Sequence, residues 1–255
     1  NPAADRLAED TLAEVARSVG FDHVAFQYEP IAAAFDYESH ISQEELVLIA
    51  DIGGGTSDFS LVRLSPQRAL KADRRDDILA TGGVHIGGTD FDKYLSLDAA
   101  MPLLGYKSLL KNNSEIPSSY YFNLATWHTI NQAYTRKAAA QLEDLVRDAQ
   151  EPARLLRLQN LIEDRSGHWL AMKMEEGKIA LSDAATATLD LDRLSPPDML
   201  TLHRDRFEAA TGHLVLSCEQ AVTNMLADAG VAPEAVDTVF FTGGSSGVPM
   251  LRARL

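Results

Sequence analysis

Asp51-Ile52-Gly53-Gly54-Gly55-Thr56-Ser57-Asp58 is the stretch from which the fold can be read outward. The run before it, Leu46-Val47-Leu48-Ile49-Ala50, has the length and β-branched content of a buried strand. The run after it, Phe59-Ser60-Leu61-Val62-Arg63-Leu64, alternates with period two. The glycines between them therefore predict a hairpin turn. Three adjacent glycines let backbone approach a ligand closely, and their unshielded N–H groups form a nest suited to phosphate oxygens. Thr56 adds a hydroxyl. Asp51 and Asp58 flank the turn, and two carboxylates beside a phosphate nest make sense when a hard cation such as Mg²⁺, held mostly through water, lies between them and the phosphates. A Walker loop would need Gly-Lys-Ser/Thr and a following helix, and a dinucleotide loop would need spaced glycines opening a helix. Here an alternating strand follows, so neither applies.

A second turn, Thr242-Gly243-Gly244-Ser245-Ser246-Gly247-Val248-Pro249, joins the hydrophobic strand Thr238-Val239-Phe240-Phe241 to a helix with Pro249 in its first turn. Strand, glycines and helix place backbone N–H groups and a helix N-terminus against an anion or a flat ring. Two such turns about 190 residues apart suggest one sheet domain interrupted by an insertion, with a ligand in the cleft. The insertion opens at Gly87-Gly88-Thr89-Asp90-Phe91-Asp92, where Thr89 and Asp92 have the spacing of a capping box. From there to about Glu176 the apolar spacing is largely helical, with Pro152 starting a new helix, and the aromatic residues Tyr120, Tyr121, Phe122 and Trp127 read as its core.

Upstream, Leu7, Leu12, Val15, Ala16 and Val19 form one face of a helix ended by Gly20; Val24 to Tyr28 reads as a strand, and Glu29-Pro30 opens a second helix. Glu29 either complements that helix dipole or orients water near a γ-phosphate. Glu175, Lys178 and Ser182 share one helical face. The charged patch Lys71 to Asp77 reads as a solvated hairpin tip, and a long helix runs from about His203 to Ala229.

Composition narrows the choices. The 255 residues carry 23 Lys plus Arg against 37 Asp plus Glu, a formal net charge of −14, which argues against a basic footprint for nucleic acid. Hydrophobic residues make up 45% and charged residues 24%, the proportions of a folded globular chain. Cys218 is the single cysteine, expected to be a buried structural thiol in a reduced cytoplasm. None of the seven histidines has metal-ligand spacing, and no nucleophile elbow occurs.

Taken in order, Glu29 to Ala34, Asp51 to Asp58, Gly87 to Asp92 and Gly243 to Pro249 resemble successive landmarks of the nucleotide-binding domain of DnaK-type, seventy-kilodalton heat-shock chaperones. Phe26 to Pro30, Met101 to Gly105 and Leu145 to Ala149 further resemble the YegD-like branch of predicted bacterial chaperones. The resemblance implies an α/β, actin-like ATPase (ribonuclease H-like) fold, present in part, with a largely helical inserted subdomain. It divides the chain into residues 1–45 as a remnant of the first lobe, 46–87 with 209–255 as the core sheet of the second lobe, and 88–208 as an inserted clamp.

By the same resemblance Asp51 and Asp58 serve the Mg²⁺ shell through water, Gly53, Gly54, Gly55 and Thr56 hold the phosphates of ATP or ADP, and Glu29 orients metal-bound or attacking water. Glu175, Lys178 and Ser182 would contact ribose and adenine, and Gly243, Gly244 and Ser245 would line the nucleoside side. Two positions depart from the family: Ile179 and Gly247 stand where its adenine-stacking arginines are. The family's first phosphate hairpin and catalytic lysine would precede Asn1, and its last strand and helices would follow Leu255, so the 255 residues alone are expected to lack appreciable ATPase activity. The implied whole is a cytoplasmic chaperone ATPase with client polypeptides and co-chaperones as partners, without nucleic acid or membrane. A non-catalytic nucleotide-dependent scaffold and, less favoured, a small-molecule kinase of the same superfamily are the competing readings.

Overall fold

A computed structural model describes residues 2–255, with side chains from residue 6 onward. Its centre is a four-stranded sheet. Strands β1 (Glu45–Ile52), β2 (Ser57–Leu64) and β3 (Ile78–Val84) form an antiparallel meander, and a late strand, β6 (Thr238–Thr242), adds in parallel to the free side of β1, giving the order β3-β2-β1-β6. The hairpin register sets Asp51 directly opposite Asp58 and Ile52 opposite Ser57, so the predicted glycine turn is there.

β1 reads as a continuous apolar run because both of its faces are covered. Leu48, Ala50 and Ile52 join the large core, while Val47 and Ile49 join a smaller cluster with Ile31, Ala34, Val62 and Leu64. Helices α2 (Glu29–Ala33) and α3 (Phe35–His40) supply that second layer. Each side chain so enclosed contributes about 1.5–3 kcal/mol relative to exposure, and this burial outweighs the modest β-propensity of the hairpin residues.

The chain leaves the sheet at Gly87 into α4 (Gly88–Leu95). It then builds α5 (Ser119–Ala125), α6 (Arg136–Asp148), α7 (Pro152–Glu163) and α8 (Gly167–Asp183) before a two-stranded hairpin, β4 (Thr186–Leu191) with β5 (Asp198–His203). Helix α9 (Arg204–Asp228) carries the chain back, burying Phe207, Thr211, Leu214, Val215, Cys218, Val222, Met225 and Leu226 at helical spacing. It lies close against β3, where Gly82 offers no Cβ to push Met225 away. The short α10 (Pro249–Arg254) follows β6. Cys218 is fully buried, with its thiol pushed up by burial, as befits a structural sulfur. Among the described residues no helix is long and apolar enough to cross a membrane.

Several local expectations fail, each for a tertiary reason. Residues 24 to 28 are not a strand: no neighbouring strand pairs with them, and Phe26 stays exposed. The opening helix, α1 (Pro2–Ser18), forms, but Leu7, Leu12, Val15 and Val19 are exposed and Ala13 is its buried residue. Tyr28, not Glu29, stands at the N-cap of α2; Glu29 and Pro30 follow in its first turn. The Lys71 to Asp77 patch is no solvated tip, because Arg74 and Asp77 are buried in an ion-pair network with Glu38. The β4–β5 hairpin adds strands to an insertion read as mostly helical. Its Leu189 and Leu202 pack where Gly177 leaves space on α8. Of the aromatic cluster, Tyr120 and Tyr121 are buried, whereas Phe122 and Trp127 remain partly exposed.

Candidate functional site

The glycine turn is closed by the Gly53 N–H donating to the Thr56 carbonyl at 2.9 Å. The N–H groups of Gly54 and Gly55 take no acceptor among the described residues. Helix α4 docks on the turn from one side: Gly88 N–H donates to the Gly53 carbonyl at 2.9 Å, and Thr89 donates to the Gly54 carbonyl from its N–H (2.8 Å) and its hydroxyl (2.9 Å). A Cβ at Gly87 would collide with the backbone of Gly54 and Gly55, so glycine there is a condition of the docking. This replaces the predicted Thr89–Asp92 capping box. The helix is instead capped by the Asp90 carboxylate, which accepts from Gly87 N–H at 3.0 Å. Thr89 is occupied by the turn, and Asp92 by a lysine described below.

From the β6 side, Gly243 (φ +84°) brings the second turn against Asp51 and the Ile52 carbonyl, leaving no room for a Cβ. Ser245 N–H donates to that carbonyl at 3.1 Å. The two glycine turns therefore meet at the end of β1, as their sequence pattern suggested. Glu29, Asp51 and Asp58 line one cavity of about 190 Å³, floored by Ile49, Phe59 and Ser60 and bordered by Thr81 and Gly82. Thr56 hydroxyl donates to Asp58 Oδ2 at 2.9 Å. Burial, and then the facing charge of Asp58, raise the Asp51 carboxyl above its ordinary value. Two carboxylates facing each other across the hairpin, with no cationic side chain paired to them among the described residues, fit a hard divalent ion that keeps waters and takes phosphate oxygens as further ligands. Among the described residues no group of three or more His, Cys, Asp or Glu could cage a metal by itself, so a bound Mg²⁺ would depend on water and phosphate.

Lys178, Glu175 and Ser182 all lie on α8, each with its own contacts. Lys178 is 7% exposed, and its ammonium donates to Asp92 Oδ2 at 2.9 Å and to the Gly88 carbonyl at 3.2 Å. Gly88 in turn abuts Ser245, which ties Lys178 to the second turn. Ser182 hydroxyl bonds back to the Lys178 carbonyl at 3.4 Å and faces Gly247. Glu175 shares a separate hollow with Asp92 and Trp127. Burial pushes the Asp92 carboxyl up to about 6; Lys178 opposes the shift and Glu175 adds to it. Asp92, Thr89 and Trp127 stand together beside Glu175. The first two were read as a local cap and the third as core, and only the folding of α4 against α8 brings them together.

A larger groove of about 580 Å³ lies between the β3 edge and α9, lined by Gly83, Ser217 and Gln220 among others. It contains none of the clustered carboxylates, so size does not identify the chemical site here.

Two glycine turns converging on a carboxylate pair at the end of a mixed sheet define a nucleotide-cleft class of α/β protein. Comparison with known families is specific: the sequence profile of the Hsp70 protein family matches residues 8–100 and 157–255. The chain belongs to the Hsp70 family, and its fold is the actin-like ATPase fold of that family's nucleotide-binding domain. It is 28% identical over 247 residues to the chaperone protein HscA of Serratia proteamaculans, covering 95% of this chain and 29% of that protein. It is 27% identical over 246 residues to the chaperone protein DnaK of Cyanidioschyzon merolae, covering 94% and 31%. With an HscA homologue of Azotobacter vinelandii the identity is 29% over 249 residues, covering 97% and 30%. The chain thus spans about 30% of the length of these relatives.

Proposed function

We propose that this chain supplies the second-lobe half of an ATP cleft in a DnaK-like chaperone, binding Mg·ATP and, at the protein's natural length, hydrolysing it with closure of the lobes. The observation that carries this reading is the cross-strand Asp51–Asp58 pair beside the open Gly54 and Gly55 N–H groups, in a cavity shared with Glu29. Gly53, Gly54, Gly55 and Thr56 hold phosphate oxygens; Asp51 and Asp58 hold the waters of Mg²⁺; Glu29 orients metal-bound or attacking water. Glu175, Lys178, Ser182, Gly243, Gly244 and Ser245 take the nucleoside side. Residues 1–45, 46–87 with 209–255, and 88–208 are the proposed first-lobe remnant, second-lobe core and clamp. Client polypeptides and co-chaperones are the proposed partners, the cytoplasm the proposed compartment, and the YegD-like branch the proposed kin, on the segments 26–30, 101–105 and 145–149.

Calorimetric titration of Mg·ATP and Mg·ADP into the protein of natural length tests the reading. Saturable binding that weakens at least tenfold in Asp51→Asn is expected; no binding to the unsubstituted protein overturns it. A second reading, a nucleotide-dependent scaffold without turnover, is favoured by Ile179, 57% exposed, and by Gly247 at the positions of the missing arginines. Binding without single-turnover hydrolysis would decide for it.

A further inference from the structure

We propose that a row of aromatic rings carrying Lys93 and Lys107, on the surface shared by α4, α5, α9 and the loop at Tyr106, docks an acidic peptide segment of a partner protein. The proposal does not depend on the nucleotide reading of the cleft.

The row is continuous although its members come from four parts of the chain. His213 of α9 stands edge-on to Tyr94 of α4, with ring centroids 4.4 Å apart. The Lys93 ammonium lies 5.8 Å from the Tyr94 ring and 5.8 Å from the Phe122 ring, so it spans α4 and α5. Phe122 meets Tyr106 edge-on at 6.2 Å, and the Lys107 ammonium sits 5.3 Å from the centre of the Tyr106 ring. Packing of Tyr106 on the fully buried Tyr121, at 5.2 Å, anchors that end. Water still reaches the row, because Phe122 is 39% exposed and Lys107 and His213 are exposed as well. Lys107 takes φ +63°, a conformation uncommon for a residue with a side chain.

The two ammonium groups differ from the protein's other engaged lysines. Lys71, Lys173 and Lys178 each face a carboxylate, and Lys111 donates to a carbonyl. Lys93 and Lys107 form no ion pair or hydrogen bond among the described residues; aromatic faces hold them in place without neutralising them. A lysine already held in place loses less freedom when a carboxylate arrives. The surroundings are set apart in charge too. Residues 101–156, which the Hsp70 profile leaves unmatched, carry six Lys and Arg against five Asp and Glu, in a chain whose net charge is −14. Tyr106, Lys107 and Phe122 belong to that segment, so the family match does not account for them.

The chemistry of the occupant follows from the row. Two fixed cations call for carboxylates, and the rings between them call for an apolar or aromatic side chain. A single row is too narrow for the roughly 800 Å² per partner of a standard interface between folded proteins, and suits an extended segment. Two cations on an acidic chain do not hold a polyanion such as nucleic acid, which needs many phosphate contacts. Acidic groups elsewhere on the chain are largely screened beyond about 8 Å at physiological ionic strength, so they leave the approach open.

The test uses a fluorescein-labelled peptide, Glu-Asp-Glu-Phe-Glu-Asp-Glu, and the natural-length protein, read by fluorescence anisotropy at low and high salt. Saturable binding that weakens about tenfold or more for the neutral Gln-Asn-Gln-Phe-Gln-Asn-Gln peptide is expected, with a marked loss at high salt. Lys93→Gln, Lys107→Gln and Phe122→Ala should each weaken binding about threefold or more, with urea unfolding midpoints unchanged because these are surface changes. The neutral peptide decides on the unsubstituted protein alone, whatever a variant does to folding. Absence of saturable binding, equal binding of the two peptides, or undiminished binding by a Lys93→Gln, Lys107→Gln double variant overturns the proposal. Tighter binding to phosphatidylserine vesicles than to the peptide, lost in the same double variant, would assign the row to a lipid surface and overturn it as well.

Discussion

Two clusters of charge occupy opposite ends of the same sheet and obey opposite rules. In the first, Arg74 donates to Glu38 at 2.8 and 3.0 Å and also to Asp77, while Arg68 bridges Asp77 and Glu44; Glu38, Arg74 and Asp77 are all buried. Burial alone would raise the Asp77 carboxyl, but hydrogen bonds from Arg74 and Arg68 outweigh it and hold the group below its ordinary value. In the second, Asp51 and Asp58 face each other across the hairpin with no cation paired to them among the described residues, and burial with like charge moves Asp51 the other way. A structural charge inside a protein comes with its partner built in. A ligand-facing charge is left open, at a cost in stability that the ligand removes.

Breaking the first cluster should have the largest effect. Arg74→Ala strands the buried Glu38 carboxylate and leaves Asp77 with Arg68, and is expected to lower unfolding free energy by about 3–5 kcal/mol, read from urea midpoints; a loss below about 1 kcal/mol would show that the network is looser than its geometry. Next comes Gly87→Ala, whose Cβ meets the Gly54–Gly55 backbone. Overpacking of about 1–3 kcal/mol should undock α4 and weaken Mg·ADP binding more than tenfold, and unchanged binding would contradict the docking role.

Asp51→Asn should invert the pattern seen for Arg74→Ala. Removing one of two facing carboxylates is expected to raise apo stability while abolishing the Mg²⁺ dependence of nucleotide binding. Destabilisation instead would place Asp51 among the structural charges.

The two charge environments also part in their dependence on pH. Asp77, held low, adds stability that is present above its unfolded pKa near 3.8 and lost as pH falls through the folded value. Asp92, raised from 3.8 to about 6 with Lys178 and Glu175 facing it, does the reverse: stability present below 3.8 is lost as pH rises to 6. Wild type minus Asp92→Asn, in unfolding free energy, should therefore fall between pH 4 and 6 and level off above 7. A flat difference would mean that Asp92 is not desolvated.

Much of the phosphate side was legible because its signals are local. The glycine turn announces itself by strands on both sides, which sets Asp51 and Asp58 on its two flanks; their direct pairing across the hairpin comes from the register. The charged run from Lys71 to Asp77 was misread because solvation is the usual fate of such a run, and nothing near it announces Glu38, 36 residues earlier. Residues 24 to 28 have strand-like composition, but a strand needs a neighbour to satisfy its backbone, and none pairs with it. Thr89 and Asp92 matched a capping spacing, yet the Gly54 carbonyl and a lysine 86 residues away compete for them.

The sequence by itself determined the hairpin, both glycine turns, the helical run of the insertion and the acidic, cysteine-poor character of the chain, because each depends on spacing along a few consecutive residues. Only the tertiary structure decided which charges are neutralised, where α4 docks and that Trp127 stands beside Asp92 and Glu175. Those outcomes turn on desolvation and contact between residues far apart in the chain, and pairing at a distance leaves no periodic mark in the sequence.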